Sequence, residues 1–94
     1  MNGDFKKASH YCTHSCDAVE KVFGSSSVEY AHELYKLSQL LFNDKQVKKA
    51  LSTIDKATSL LSRHYGRSNP DVKELSEMKR CLIAVGGHAR SNSS

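Results

Sequence analysis

Apolar and small residues recur along this chain every three or four positions, which is the spacing of a helix face and not the every-second-residue alternation of a strand. Val28, Ala31, Leu34, Leu37, Ser38 and Leu41 form one such stripe. Val72, Leu75, Met78, Cys81, Leu82 and Val85 repeat its spacing at a displacement of 44 residues. A second pair matches at a displacement of 42: Ala8, Cys12, Ser15, Val19, Phe23 and Gly24 against Ala50, Ile54, Ala57, Leu61, Tyr65 and Gly66. Two kinds of helix therefore alternate. The two-residue difference is expected in the connecting loops, since Gly24 to Val28 is four residues and Gly66 to Val72 is six.

Capping chemistry sets the expected boundaries. Gly24, Gly66 and the pair Gly86-Gly87 stand where a left-handed residue can close a helix. Ser26-Ser27-Val28-Glu29 has the spacing of a capping box, with Ser26 accepting from a backbone amide and Glu29 reaching back. Asn43-Asp44, with Gln46 close behind, predicts a helix that opens almost without a loop. Asn69-Pro70-Asp71 predicts another start, because proline at the first helical position loses no needed N–H and aspartate suits the positive end of the helix dipole. The reading is all-α: an antiparallel array of about four helices over 5–23, 27–42, 44–65 and 70–85, followed by a flexible Gly/Ser-rich tail over 86–94.

The middle pair carries the pattern of a tetratricopeptide (TPR) repeat: Leu34-x2-Leu37-Ser38-x2-Leu41, then Ala50-x3-Ile54-x2-Ala57. Small residues at Ser38, Ala50 and Ala57 let two helices approach closely while bulky ones fill the gaps beside them. Leucine stands where that repeat usually has tryptophan, and Pro70 comes late, so the second helix of the pair is longer than usual. Four stretches complete the pattern: 23–29 (Phe-Gly-Ser-Ser-Ser-Val-Glu), 32–37 (His-Glu-Leu-Tyr-Lys-Leu), 50–54 (Ala-Leu-Ser-Thr-Ile) and 78–82 (Met-Lys-Arg-Cys-Leu). Together they resemble the C-terminal TPR-like region of the SET and MYND domain lysine methyltransferases. The resemblance implies a segment that packs beside a catalytic domain, closes one wall of its substrate cleft and offers a groove to partner proteins such as a chaperone. A chain that starts on the second kind of helix and ends on the first is expected to be a piece of a longer stack.

The catalytic signature of a SET domain is not expected here, since residues 13–18 (Thr-His-Ser-Cys-Asp-Ala) share with it only His14, Ser15 and Cys16. Nothing in the pattern places a nucleophile with a base and an orienting group, so no enzyme activity and no cofactor are expected of this chain. His10, Cys12, His14 and Cys16 have a metal-like composition. On one helix, however, the two thiols share one face and the two imidazoles another, which leaves no four-ligand zinc site to expect. Cys12 and Cys81 both fall on apolar stripes and read as core.

The chain has 94 residues, 38% of them apolar and 26% charged, with a net charge of +4 and a pI near 9.1. That size allows one small domain. The longest apolar run, from Cys81 to Val85, is far too short to span a bilayer, and no apolar segment of a secretory signal follows Lys6 and Lys7. Three cysteines without disulfide-like spacing suggest free thiols, and a cytoplasmic or nuclear setting is expected. In a TPR-like stack the first kind of helix lines the concave side. The residues beside its stripe, His32, Tyr35, Lys36, Gln39, Asn43, Ser76, Lys79, Arg80 and Ile83, form a candidate groove for an acidic or carboxylate-terminated peptide. The competing reading is a free-standing adaptor with the same binding habit. A nucleic-acid surface built from Lys45, Lys48, Lys49, Lys56, Arg63 and Arg67 is disfavoured by Asp44, Asp55 and the lack of interleaved aromatic residues. The open face of the fourth helix, with Met78, Cys81, Leu82 and Val85, is expected to seek cover through self-association or by the tail folding back.

Overall fold

The computed structural model describes the backbone of residues 2–93 and the side chains of residues 6–85. Four helices account for it: α1 (Asn2–Phe23), α2 (Val28–Asn43), α3 (Val47–Tyr65) and α4 (Pro70–Ser93), with no strand among the described residues. Short turns fold successive helices back on one another. His32, early in α2, meets Tyr65 at the end of α3, and Asp55 midway along α3 meets Lys79 of α4. Neighbours in sequence are thus antiparallel. α2 and α4 run in the same direction side by side, with Tyr35 and Gln39 reaching Glu74 and Asn43 lying near Met78. Among the described residues α1 packs on α2 and makes no contact with α3. The fold is the all-α antiparallel array expected from the stripes.

α2 is the centre of the molecule, flanked by α1, α3 and α4, and so buries Ala31, Leu34, Leu37, Ser38 and Leu41. α3 answers with Ala50, Ile54, Ala57, Leu60 and Leu61, and α4 with Val72, Leu75, Met78 and Leu82. Ile54, Leu61 and Leu75 are wholly enclosed, each worth about 1.5–3 kcal/mol of burial. Ser38 is equally enclosed and donates its hydroxyl to Leu34 O at 2.8 Å, so its polar atom costs nothing unpaired. Cys81 and Val85 align with the buried Leu37 and Leu41 yet are exposed, Val85 by 64%. The stripe alone does not decide burial: among the described residues α2 is covered from three sides, α4 by α3 and only slightly by α2.

The two glycine turns are built alike. Gly24 and Gly66 take φ of +97° and +90°, and their amides donate to Glu20 O and Ser62 O at 2.8 Å. Three residues later comes the cap. Ser27 Oγ accepts from the Tyr30 amide at 3.1 Å, and Asn69 Oδ1 accepts from the amides of Asp71 at 2.8 Å and Val72 at 3.4 Å. The cap is therefore Ser27 and not Ser26, because Ser27 Oγ is also anchored by donating to Gly24 O at 2.8 Å. Glu29 is then the wrong residue for a capping box. The two turns have equal length, which moves the two-residue difference out of the loop and into α4: Val28 is the first residue of its helix and Val72 the third.

Asn43 and Asp44 do not open α3. Asn43 is the last residue of α2 and donates its side-chain amide back to Gln39 O at 2.8 Å. The amides of Asp44, Lys45 and Gln46 close on Leu40, Phe42 and Leu41, a reversal that sets Lys45 at a left-handed φ of +61°. Gln46 then precedes α3 without a side-chain cap bond. α4 continues past Gly86-Gly87, since glycine permits a left-handed stop without imposing one. The expected flexibility of 86–94 concerns side chains outside the described residues.

Candidate functional site

The residues expected to form one basic groove separate into three places. Tyr35 donates its hydroxyl to Glu74 Oε1 at 2.6 Å, and Gln39 donates its side-chain amide to Glu74 Oε2 at 3.0 Å and to the Tyr35 hydroxyl at 3.3 Å. Gln39 and Glu74, with Lys36, Asn43, Phe42 and Met78, border a shallow pocket between α2 and α4. The charge at its centre is the Glu74 carboxylate. Burial, that hydrogen bond and the negative charge of Glu74 all push the Tyr35 hydroxyl above its ordinary pKa. Lys36 bonds Glu33 at 2.9 Å, one turn back on its own helix, and the bond raises the ammonium's pKa. Lys79 turns away to Asp55 of α3 at 2.7 Å. Arg80 lies with Ser76, Arg63 and Arg67 in the cleft between α3 and α4. His32 meets the Tyr65 hydroxyl at 3.1 Å, and Ile83 is half exposed. The expected cations thus do not converge on one concave face.

The basic concavity lies on the other side. Because α1 and α3 do not touch, a groove of about 590 Å³ opens between them. Its floor is α2, through Tyr30, Leu34, Leu37 and Leu41. Its walls carry Lys6 from α1 and Lys48, Lys49 and Lys56 from α3, and among the described residues Asp17 supplies the one carboxylate. No described carboxylate forms an ion pair with any of these four lysines. Thr13 and Thr53 also line it, their hydroxyls donating to Ser9 O and Lys49 O at 2.8 Å. Three of these lysines were visible as a helical run. Lys6 was not, since α1 and α3 come together only through α2. Arg63 and Arg67, grouped with them by sequence, belong to the α3–α4 cleft.

Cys12 and Cys16 are buried on the α2-facing side of α1, whereas His10 and His14 are exposed and meet edge to face at 4.8 Å between ring centres. Opposite the thiols stands Glu33 of α2, held by the Ser15 hydroxyl on Oε1 at 3.1 Å and by Lys36 on Oε2 at 2.9 Å. Burial pushes the Cys12 thiol up and the Cys16 thiol up to about 12, with nearby negative charge adding to the shift. Such thiols are protonated and poor nucleophiles on their own.

No family model and no solved structure matches the chain. Curated relatives do. The chain is 46% identical over 83 residues, 88% of its length, to chicken (Gallus gallus) protein-lysine N-methyltransferase SMYD4. It is 46% identical over 81 residues to the human (Homo sapiens) protein of that name and 38% identical over 80 residues to the zebrafish (Danio rerio) one, 86% and 85% of its length. These matches span only 11%, 10% and 11% of the three relatives, so the chain corresponds to about a tenth of each.

Proposed function

We propose, from the homology of this chain to one segment of the SMYD-type protein-lysine methyltransferases, that it is a non-catalytic, TPR-like helical segment that binds an acidic stretch of protein in the groove between α1 and α3. The observation that carries this reading is the groove's composition among the described residues: four lysines without acidic partners above a floor of leucines, opposed by one aspartate. Acidic side chains placed there gain charge-assisted hydrogen bonds while apolar neighbours rest on the floor, a combination suited to a peptide. The α2–α4 face serves less well, because Glu74 occupies it and Lys79 is paired away. In a parent methyltransferase, methyl transfer belongs to other segments, and this one holds a substrate or partner chain near them, in the cytoplasm or nucleus.

Calorimetric titration of the full chain tests this with an acidic peptide interspersed with leucine. Lys48→Ala, Lys49→Ala and Lys56→Ala combined should weaken binding at least roughly tenfold, since charge-assisted bonds contribute about 1.5–3 kcal/mol each. Raising the salt should weaken it as well. Lys36→Ala and Lys79→Ala should change little. A reversed dependence would return the site to the α2–α4 face. Tighter binding of single-stranded RNA through the same lysines would favour a nucleic-acid surface instead.

A further inference from the structure

Cys12 and Cys16 lie one turn apart on α1, and Glu33 stands across the helix interface from them on α2. One Sγ from each cysteine and one carboxylate oxygen all lie within 4.8 Å of one another. We propose that these three residues form a zinc site, in which Zn2+ takes both sulfurs and the Glu33 carboxylate, with water as the fourth ligand.

The distances suit the ion. Zn–S bonds of about 2.3 Å and Zn–O bonds of about 2.0–2.2 Å place the corners of a tetrahedron roughly 3.5–3.8 Å apart. Closing from 4.8 Å to those spacings asks for about 1 Å, a distance within the reach of side-chain rotation. The carboxylate is already oriented from behind by the Ser15 hydroxyl and the Lys36 ammonium, the outer support that a metal-binding side chain needs. Lys36 also settles the charge. Two thiolates and one carboxylate around a dication leave one negative charge, which the ammonium beside Glu33 neutralises, and the two thiol protons leave to solvent.

Both thiols belong to the core, yet packing does not require sulfur at either place. At a displacement of 42 residues the places of Cys12 and Cys16 are taken by Ile54 and Thr58, and at 44 residues Glu33 is matched by Glu77. The second unit of the array therefore builds the same corner without a thiol. The donor set also selects the metal, because two soft sulfurs with one hard oxygen suit zinc better than calcium or magnesium, which want oxygen alone. Cys16 also borders the α1–α3 groove, but the site rests on its own ligand geometry and needs nothing of the peptide reading.

Cobalt(II) added to the reduced full chain reads the proposal directly. One equivalent should bind, give sulfur-to-cobalt charge-transfer and tetrahedral ligand-field absorption, and be displaced by zinc. Cys12→Ser with Cys16→Ser should abolish the charge-transfer band, with circular dichroism confirming that the helices remain. Glu33→Gln keeps the shape of the side chain and should weaken cobalt binding at least roughly tenfold, the least effect usual for disturbing a metal site. Cys81→Ser, at an exposed thiol on α4, should change nothing. A folded wild-type chain that shows no thiolate band overturns the proposal. So does a band that survives the double cysteine variant, one that depends on Cys81, or a Glu33→Gln chain that binds as tightly as wild type.

Discussion

Ala50→Leu tests the packing of α3 against α2. Ala50 has no exposed surface, and Ile54 and Ala57 on the same face of α3 have none either, nor has Ser38 on α2. Leucine adds three carbons. With room available they would bring up to about 2 kcal/mol of burial. With none, the helices must part or side chains must leave their rotamers, at about 1–3 kcal/mol. Intrinsic helix preference does not obscure the result, since leucine ranks just below alanine. In a chain this small each kcal/mol moves the thermal midpoint by about 4–8 °C. A melt followed by circular dichroism should therefore fall by about 4–24 °C. Ala18→Leu, on the exposed side of α1, supplies the control and should stay within about 0.5 kcal/mol of wild type. An Ala50→Leu chain that melts with the wild type, or above it, would refute the close approach of α2 and α3.

Gly66→Ala isolates backbone strain, because an added Cβ meets nothing within 4 Å while φ +90° and ψ 165° are open to glycine alone. It should cost about 1–3 kcal/mol, read as a lower urea midpoint, and an unchanged midpoint would mean that the turn relaxes without cost. Asn69→Ala removes the side chain that accepts from Asp71 and Val72 and should cost about 0.5–2 kcal/mol in the same assay, with Asn69→Asp restoring most of it. Tyr35 gives a pH dependence. Its folded pKa lies above the ordinary value of 10, so the unfolded chain gives up this proton first. The stability it contributes is whole below pH 10 and declines as pH rises beyond it. Tyr35→Phe should flatten that alkaline decline in midpoint, and an equally steep decline would show that the Glu74 contact does not control it.

Helix number, order and centre of burial were legible because they depend on local periodicity, and every position of the α2 stripe from Ala31 to Leu41 is buried as its spacing requires. What periodicity lacks is any account of how many neighbours a stripe will have. Cys81 and Val85 have the same credentials as Leu37 and Leu41, and differ only in what lies beyond them. Caps were misplaced by one to three residues for a related reason. Several adjacent residues, Ser26 and Ser27 or Asn43, Asp44 and Gln46, carry the right chemistry. The choice among them is made by backbone closure, through Gly24 O in one turn and through Leu40, Leu41 and Phe42 O in the other.

The site was legible residue by residue but not as an assembly, and the cause is the pairing of charge across helices. Position on a helix face says that Lys36, Lys79 and Lys48 are all solvent-facing. It does not say that Glu33 waits one turn back for the first, that Asp55 reaches the second from α3, or that the third has no such neighbour among the described residues. Only α2 connects Lys6 to Lys48, Lys49 and Lys56, because the helices that carry them never touch. The same geometry explains the thiols. In sequence the neighbours of Cys12 and Cys16 are His10 and His14, whose exposed imidazoles point to another face. Their real neighbour is Glu33, which faces them from the adjoining helix and comes within 4.8 Å of both. A ligand set shared between two helices is invisible to any reading of one helix at a time. Both the basic groove and the Cys12–Cys16–Glu33 corner arise where α2 lies against α1.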